Sequence, residues 1–247
     1  AFKEAGYQTA FFSNQRYNHS FIDFFGKEAD TFDFIKEDSL DSAYNPSDDE
    51  LLALVAKELS KGNQKQFIVL HTYGSHFNYR ERYPSEDAFF LPDYPVEAEV
   101  KYRDNLVNAY DNTIRYTDGF LSRLIHMLEE QHVDAAMLYT SDHGEDIFDD
   151  SRHLFLHASP VPSYYQLHVP FLIWMSDTYR EAYPEHWQTV TGNKDKDVSS
   201  SCSFFPTMLE LGGVQTSYRN DSSSVVSPLY TMKPRVYLND HNEPRPL

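Results

Sequence analysis

The chain has 247 residues, of which 40% are hydrophobic and 15% aromatic, with eighteen Tyr and eighteen Phe. That length suits one large domain with a real core, and the composition is globular, not disordered. A formal net charge of -17 leaves no cationic surplus for neutralising a phosphate backbone, which argues against nucleic acid as a partner. A small phosphorylated ligand held through a metal remains compatible with it. Cys202 is the single cysteine, so no internal disulfide framework exists. No apolar run reaches the roughly 18–20 residues of a membrane-spanning helix.

In chain order, Phe2 to Ala5 reads as the end of a helix, Gly6 as its stop, and Gln8–Ser13 as a strand. A helix end followed by a strand predicts that earlier βα units precede this segment. Residues 14–48 are polar and aromatic without a clear period and read as loop and short turns. Asp48 and Asp49 then predict the cap of an amphipathic helix carrying Leu51, Leu52, Val55 and Leu59. Phe67–His71 reads as a buried strand that delivers Thr72-Tyr73-Gly74-Ser75-His76 at its carboxyl end. Residues 77–95, with Pro84, Pro92 and Pro95, form an irregular insertion. A long helix is predicted from about Val96 to Glu130, with Leu106, Tyr110, Ile114, Leu121, Leu124 and Leu128 on one stripe and a polar step at Thr117. Ala135–Thr140 is a second buried strand, ending in Ser141-Asp142-His143-Gly144-Glu145. Val169–Trp174 is a third strand, Phe204–Leu211 a helix closed by Gly212-Gly213, and Val236–Leu238 a last short strand.

Buried strands alternating with helices imply an α/β sheet with helices on both faces, in a single domain over residues 1–247. Ligands in such sheets gather at the carboxyl ends of the strands. Two strands here end in His-bearing polar clusters. Asp142 and His143, a carboxylate and an imidazole side by side beyond a strand, suit a borderline cation such as zinc. Gly144 reads as permitting the tight turn that follows. Zinc takes about four ligands, and His157, His76 or residues upstream are the candidates for the remainder. His153 reads as a loop residue, His168 as a hydrogen-bonded strand-entry residue, and His71 as a satisfied core histidine. Tyr110 to Asp118 lies on a helix without His or Cys, so its polar groups read as packing and helix–helix contacts.

Together these clusters resemble the phosphoethanolamine transferases of the alkaline phosphatase/sulfatase superfamily. Leu70-His71-Thr72-Tyr73-Gly74-Ser75-His76 with Arg82-Tyr83-Pro84 is similar to that family's "LHxxGSH…RYP" block. Tyr110-Asp111-Asn112-Thr113-Ile114-Arg115-Tyr116-Thr117-Asp118 resembles "YDNTIxYTD". Ser141 to Glu145 resembles "SDHGE", and Leu156-His157 with His168-Val169-Pro170 resembles "LHG…HVP". Ala5-Gly6-Tyr7 through Ser13-Asn14-Gln15 resembles "AGYxTxxxSNQ". The blocks follow family order from residue 5 to about 175.

The resemblance implies a three-layer α/β/α sandwich of the alkaline phosphatase/sulfatase type, with its amino-terminal portion missing. It implies Zn2+ as cofactor, Asp142 and His143 as metal ligands, and His76 and His157 as catalytic residues that hold the phosphoryl group or a second zinc. Asn14, Glu145, His76 and His157 become the substrate-binding set, with Glu145 near the donor's ammonium. The threonine nucleophile and an acidic zinc ligand would lie upstream of Ala5. The implied reaction moves phosphoethanolamine from a phosphatidylethanolamine-like donor to a glycan or lipid hydroxyl of the cell envelope. The protein would be a monomer, anchored in the bacterial inner membrane by upstream helices, with this domain facing the periplasm. Phe77-Asn78 stands where the family often has Gly-Pro, and Ala158 where it usually has Gly. Alternatives are a sulfatase or phosphoglycerol transferase of the same superfamily, or a non-catalytic metal- or glycan-binding remnant.

Overall fold

The computed structural model describes residues 1–16, 21–36, 45–62, 65–157, 160–239, 241 and 243–246. Parts of the expected 14–48 loop, and Ala158, lie outside the described residues. The chain divides into two compact units, Phe2–Met127 and Leu128–Leu247.

The first unit is built on a parallel sheet. Strand β1 (Gln8–Arg16) is followed by helix α1 (Phe21–Gly26), β2 (Thr31–Lys36), α2 (Glu50–Leu59), β3 (Gln66–His71) and α3 (Arg103–Glu130), whose last turn ends beyond the unit. The strand order is β2-β1-β3. Thr9, Ala10, Phe12, Ser13 and Asn14 of the central strand are all buried, the two-sided burial that a parallel strand carries. The register sets Ser13 against His71, so Asn14 and the residues after His71 emerge at the same end of the sheet. Before the sheet, Gly6 at φ 83° ends a single turn in which Tyr7 N bonds Phe2 O at 3.1 Å, as expected from the sequence.

Several expectations for this unit are corrected. Residues 14–48 are not all loop, since α1 and β2 form within them. The alternation Thr31-Phe32-Asp33-Phe34 is too short to stand out over a long window. Asp48 and Asp49 do not cap α2 with their side chains. Asp49 N instead donates to Ser47 Oγ at 3.2 Å, and the Asp48 carboxylate turns to the end of β3. The long helix starts at Arg103, after a 3-10 turn at Val100–Tyr102, because Glu99 is extended at φ -131°, ψ 139°. Its stripe is broken at Ile114, 49% exposed, while Asn112 and Thr113 are buried in its stead.

Those two polar residues bind loops, where helix–helix contacts were expected. Asn112 Oδ1 accepts from Phe89 N and Phe90 N, both at 2.9 Å, and its amide donates to Phe90 O and Tyr83 Oη. Burial, then the bond to Asp93, pushes the Tyr83 phenol up to about 12. Thr113 Oγ1 lies 2.7 Å from Ser75 Oγ, and Tyr116 Oη donates to Asp49 Oδ2 at 2.9 Å. The 77–95 insertion is irregular as expected, and Asn112 fastens it to α3.

In the second unit, β4 (Ala136–Thr140) pairs antiparallel with β7 (Phe171–Met175), and a two-residue ladder joins β5 (Asp146–Ile147) to β6 (Phe155–Leu156). Between them lies the short α4 (Tyr164–Leu167); α5 (Asp177–Ala182), α6 (Pro184–Asn193) and α7 (Ser200–Leu211) follow. β8 (Val236–Leu238) pairs with β9 (Pro244–Pro246). The core gathers Met175, Tyr179, Leu211, Val225, Val226 and Tyr230, with Ala136, Phe171 and Ile173 packed against it. Both paired strands thus turn one face to this cluster. α7 starts four residues before the predicted Phe204 and closes as predicted. Gly213 at φ 62° lets Val214 N reach Leu209 O at 2.8 Å, satisfying a helix-end carbonyl.

Candidate metal centre

Strand β4 hands the chain to Ser141-Asp142-His143-Gly144-Glu145 at its carboxyl end. Ser141 Oγ donates to His143 O at 2.7 Å, and His143 N donates to Asp142 Oδ1 at 3.0 Å. These two bonds close the turn on itself, and His143 Nδ1 lies 3.0 Å from Gly144 O, which orients the ring. The β5–β6 register pairs Asp146 with Leu156, which brings the flanking residues Glu145 and His157 side by side. His157 Nδ1 lies 3.3 Å from Glu145 Oε1, and the His143 and His157 rings stand 3.8 Å apart, centre to centre. Leu156 sits at φ 64°, a left-handed position that side chains rarely take, and it turns the chain just before His157.

One donor atom each from His143, Glu145 and His157 lies within 4.8 Å of the others. Two imidazoles and a carboxylate are a zinc donor set, so the residues present fit that ion. Glu145 is 9% exposed, and a carboxylate withdrawn from water is favoured beside a cation.

The grouping differs from the one read in the sequence. His143 and His157 meet as ligand-capable neighbours, and Glu145, expected near the donor's ammonium, joins them. The Asp142 side chain is 86% exposed, with Oδ2 3.8 Å from His143 Nε2, adjacent to the trio and outside it. Gly144 is required for a reason the sequence did not give. It is absent from the left-handed glycines, but a Cβ there would meet Tyr165 O at 2.1 Å. His153 stands exposed in a turn at φ 51°, and His168 stacks on Tyr164 at 4.7 Å. Neither joins the cluster, in keeping with their assignment as ordinary residues.

Asn14 and His76 belong to the first unit. Asn14 is 2% exposed and donates to Pro46 O at 3.0 Å and Asp48 Oδ1 at 2.8 Å. His76 is exposed, with its ring 4.8 Å from that of Tyr73 and tilted against it, and the Arg82 guanidinium lies 4.3 Å over the Tyr73 ring. Burial pulls the Arg82 pKa down. His71 Nδ1 meets Ser13 Oγ at 2.9 Å, a satisfied histidine as predicted. Sequence reasoning missed Asp48, whose carboxylate also accepts from Tyr73 N at 2.8 Å and Gly74 N at 2.9 Å. Asn14, Asp48, Tyr73, Glu81, Arg82 and Tyr83 line a cavity of about 230 Å3. Its position two residues before a helix disguised Asp48 as a cap.

A sequence model of the sulfatase family matches residues 1–214. Phosphoethanolamine transferase EptA of Salmonella typhimurium is 34% identical over 168 residues, covering 65% of this chain and 30% of that protein. Phosphoethanolamine transferase EptC of Escherichia coli is 25% identical over 239 residues, covering 92% of this chain and 40% of that protein. The chain therefore spans well under half the length of these curated relatives. Among solved structures, the periplasmic domain of Escherichia coli EptC in complex with Zn superposes with a TM-score of 0.87 at 23% identity, over 99% of this chain and 70% of that one. The integral membrane lipooligosaccharide phosphoethanolamine transferase A of Neisseria meningitidis gives 0.76 at 25% identity, over 91% of this chain and 42% of that one. The expected alkaline phosphatase/sulfatase-like α/β fold is thereby borne out. With the family match running through both units, the chain belongs to the sulfatase family, among relatives that are phosphoethanolamine transferases.

Proposed function

We propose that this chain is the carboxyl-terminal part of the catalytic domain of a zinc-dependent phosphoethanolamine transferase. The observation that carries the reading is the convergence of His143, Glu145 and His157 beyond β4, in a sulfatase-family chain whose relatives bear that activity in their names. Asp142 and His143 are the proposed zinc ligands, with Glu145 and His157 at their side. When bound, zinc supplies charge stabilisation at the phosphoryl oxygens and lowers the pKa of an attacking hydroxyl.

The chain's own residues bind and orient. Glu145 orients His157 beside the proposed zinc ligands, and the departing oxygen takes up the proton that the attacking hydroxyl gives up. His76 and Asn14 are further proposed substrate-binding residues, and residues 1–247 are read as parts of one catalytic domain. An upstream threonine is the proposed nucleophile. Its oxygen forms a bond to phosphorus as the bond to the diacylglycerol oxygen breaks, and that oxygen leaves with a proton. The acceptor hydroxyl then repeats the displacement and frees the threonine. The donor is a phosphatidylethanolamine-like lipid and the acceptor a cell-envelope glycan or lipid. The intact protein is a monomer, held by upstream helices in the inner membrane with this domain facing the periplasm. No helix among the described residues is long and apolar enough to cross a membrane.

The test uses the full-length protein in detergent with fluorescent phosphatidylethanolamine and lipid A. Release of fluorescent diacylglycerol with a phosphoethanolamine mass increment on lipid A is expected, and both fall at least ~100-fold in His143→Ala. Hydrolysis of an aryl sulfate without any transfer would assign the chain to sulfate-ester chemistry instead.

A further inference from the structure

We infer that Gln166, on α4, is a positioning residue for the metal-binding turn, acting through Asp146 and Gly144. The inference rests on the zinc reading of the preceding subsection. Gln166 is 5% exposed. Its backbone carbonyl accepts from Gly144 N at 2.8 Å, and its side-chain amide donates to Asp146 Oδ2 at 2.5 Å. One residue therefore holds both sides of Glu145, and it holds the residue that follows His143. Asp146, 1% exposed, is also the first rung of the ladder that sets Glu145 beside His157. Its main chain thus holds the residue after His143, and its side chain holds the ladder that pairs Glu145 with His157, without Gln166 being a member of the cluster.

The anchor is itself fixed. Ser163 caps α4 by accepting from Gln166 N at 3.2 Å, and the peptide oxygen of Tyr165 occupies the space a Gly144 side chain would need. A bond from a neutral amide to a buried carboxylate is charge-assisted and stronger than one between neutral groups. Asp146 itself stands outside the donor cluster. Groups that orient metal ligands in this way commonly govern affinity by 10- to 100-fold.

The experiment measures zinc affinity of the full-length protein in detergent by titration calorimetry, with the visible spectrum of the cobalt-loaded protein as a second readout. Gln166→Met keeps the volume and removes the donor; it is expected to weaken zinc binding at least ~10-fold and to shift the cobalt bands. Asp146→Ala is expected to weaken it similarly, and the double variant no further, since residues acting as one unit are non-additive. Ser176→Ala removes the cap of α5 in the same unit and controls for general loosening: its melting temperature falls while zinc affinity holds. Unchanged zinc affinity in Gln166→Met would overturn the inference, as would an equal loss in Ser176→Ala. Failure of the unaltered full-length protein to bind zinc would instead overturn the zinc reading on which it stands.

Discussion

Replacing Gly144 by Ala is the most informative single change to the site. The added Cβ would lie 2.1 Å from Tyr165 O, and real Cβ atoms essentially never come within 3.0 Å of a neighbour, so the two backbones must part by about 0.9 Å. Neither is the end of a flexible side chain. The separation stretches the 2.8 Å bond from Gly144 N to Gln166 O beyond hydrogen-bond range. Overpacking of this kind costs about 1–3 kcal/mol, which for a chain of this size lowers the melting temperature by roughly 2–12 °C. The metal site suffers more than the fold, because His143 and Glu145 flank the displaced residue. Zinc affinity is expected to fall about 10- to 100-fold. Differential scanning calorimetry of the metal-free protein and a zinc titration read the two effects separately. A variant that melts and binds zinc like the unaltered chain would refute the close approach between the turn and α4.

Asp48→Ala removes the acceptor shared by Asn14 Nδ2, Tyr73 N and Gly74 N; chemical denaturation should show a loss of about 2–4 kcal/mol, with faster amide exchange at Tyr73 and Gly74. Asn112→Ala leaves the amides of Phe89 and Phe90 without their acceptor, costs about 2–4 kcal/mol, and should open the 83–95 segment to limited proteolysis. The Lys3 ammonium, then the Thr9 amide and hydroxyl, hold Asp30 down from 3.8 to about 2. Because the folded value is the lower one, the carboxylate stabilises the fold above the unfolded pKa and loses that contribution as pH falls from 3.8 to about 2. The melting temperature of Asp30→Asn should lie below that of the unaltered chain at neutral pH and converge with it across that window.

What the sequence revealed followed the range of the interactions involved. β3, β4 and β8 were placed almost to the residue, because a short apolar run bounded by polar residues is a local signal. α1 and β2 were missed because six-residue elements inside an aromatic-rich stretch carry too few periods to register. Asp48 and Gln166 were missed for a different reason: their partners lie 25 and 20 positions away, and no local pattern announces a bond across that separation. The cluster was legible in part. His143 was found from its place after a strand, and His157 as one of the candidates to complete the ligands that Asp142 and His143 leave short, supported by its match to a family block. Glu145 was assigned to substrate, because only the β5–β6 register, which two-residue strands do not betray in sequence, brings it to His157. Gly144 was recognised as necessary and explained wrongly, since a close approach by another backbone is invisible until the fold is known.

The central claim places a zinc centre at the turn beyond β4. Crystals of the full-length protein grown with zinc, measured on both sides of the zinc absorption edge, test it most directly. The account predicts that the strongest anomalous peak lies about 2.0–2.2 Å from nitrogen or oxygen donors of the group Asp142, His143, Glu145 and His157. A strongest peak elsewhere on the protein, or none at saturating zinc, would contradict it.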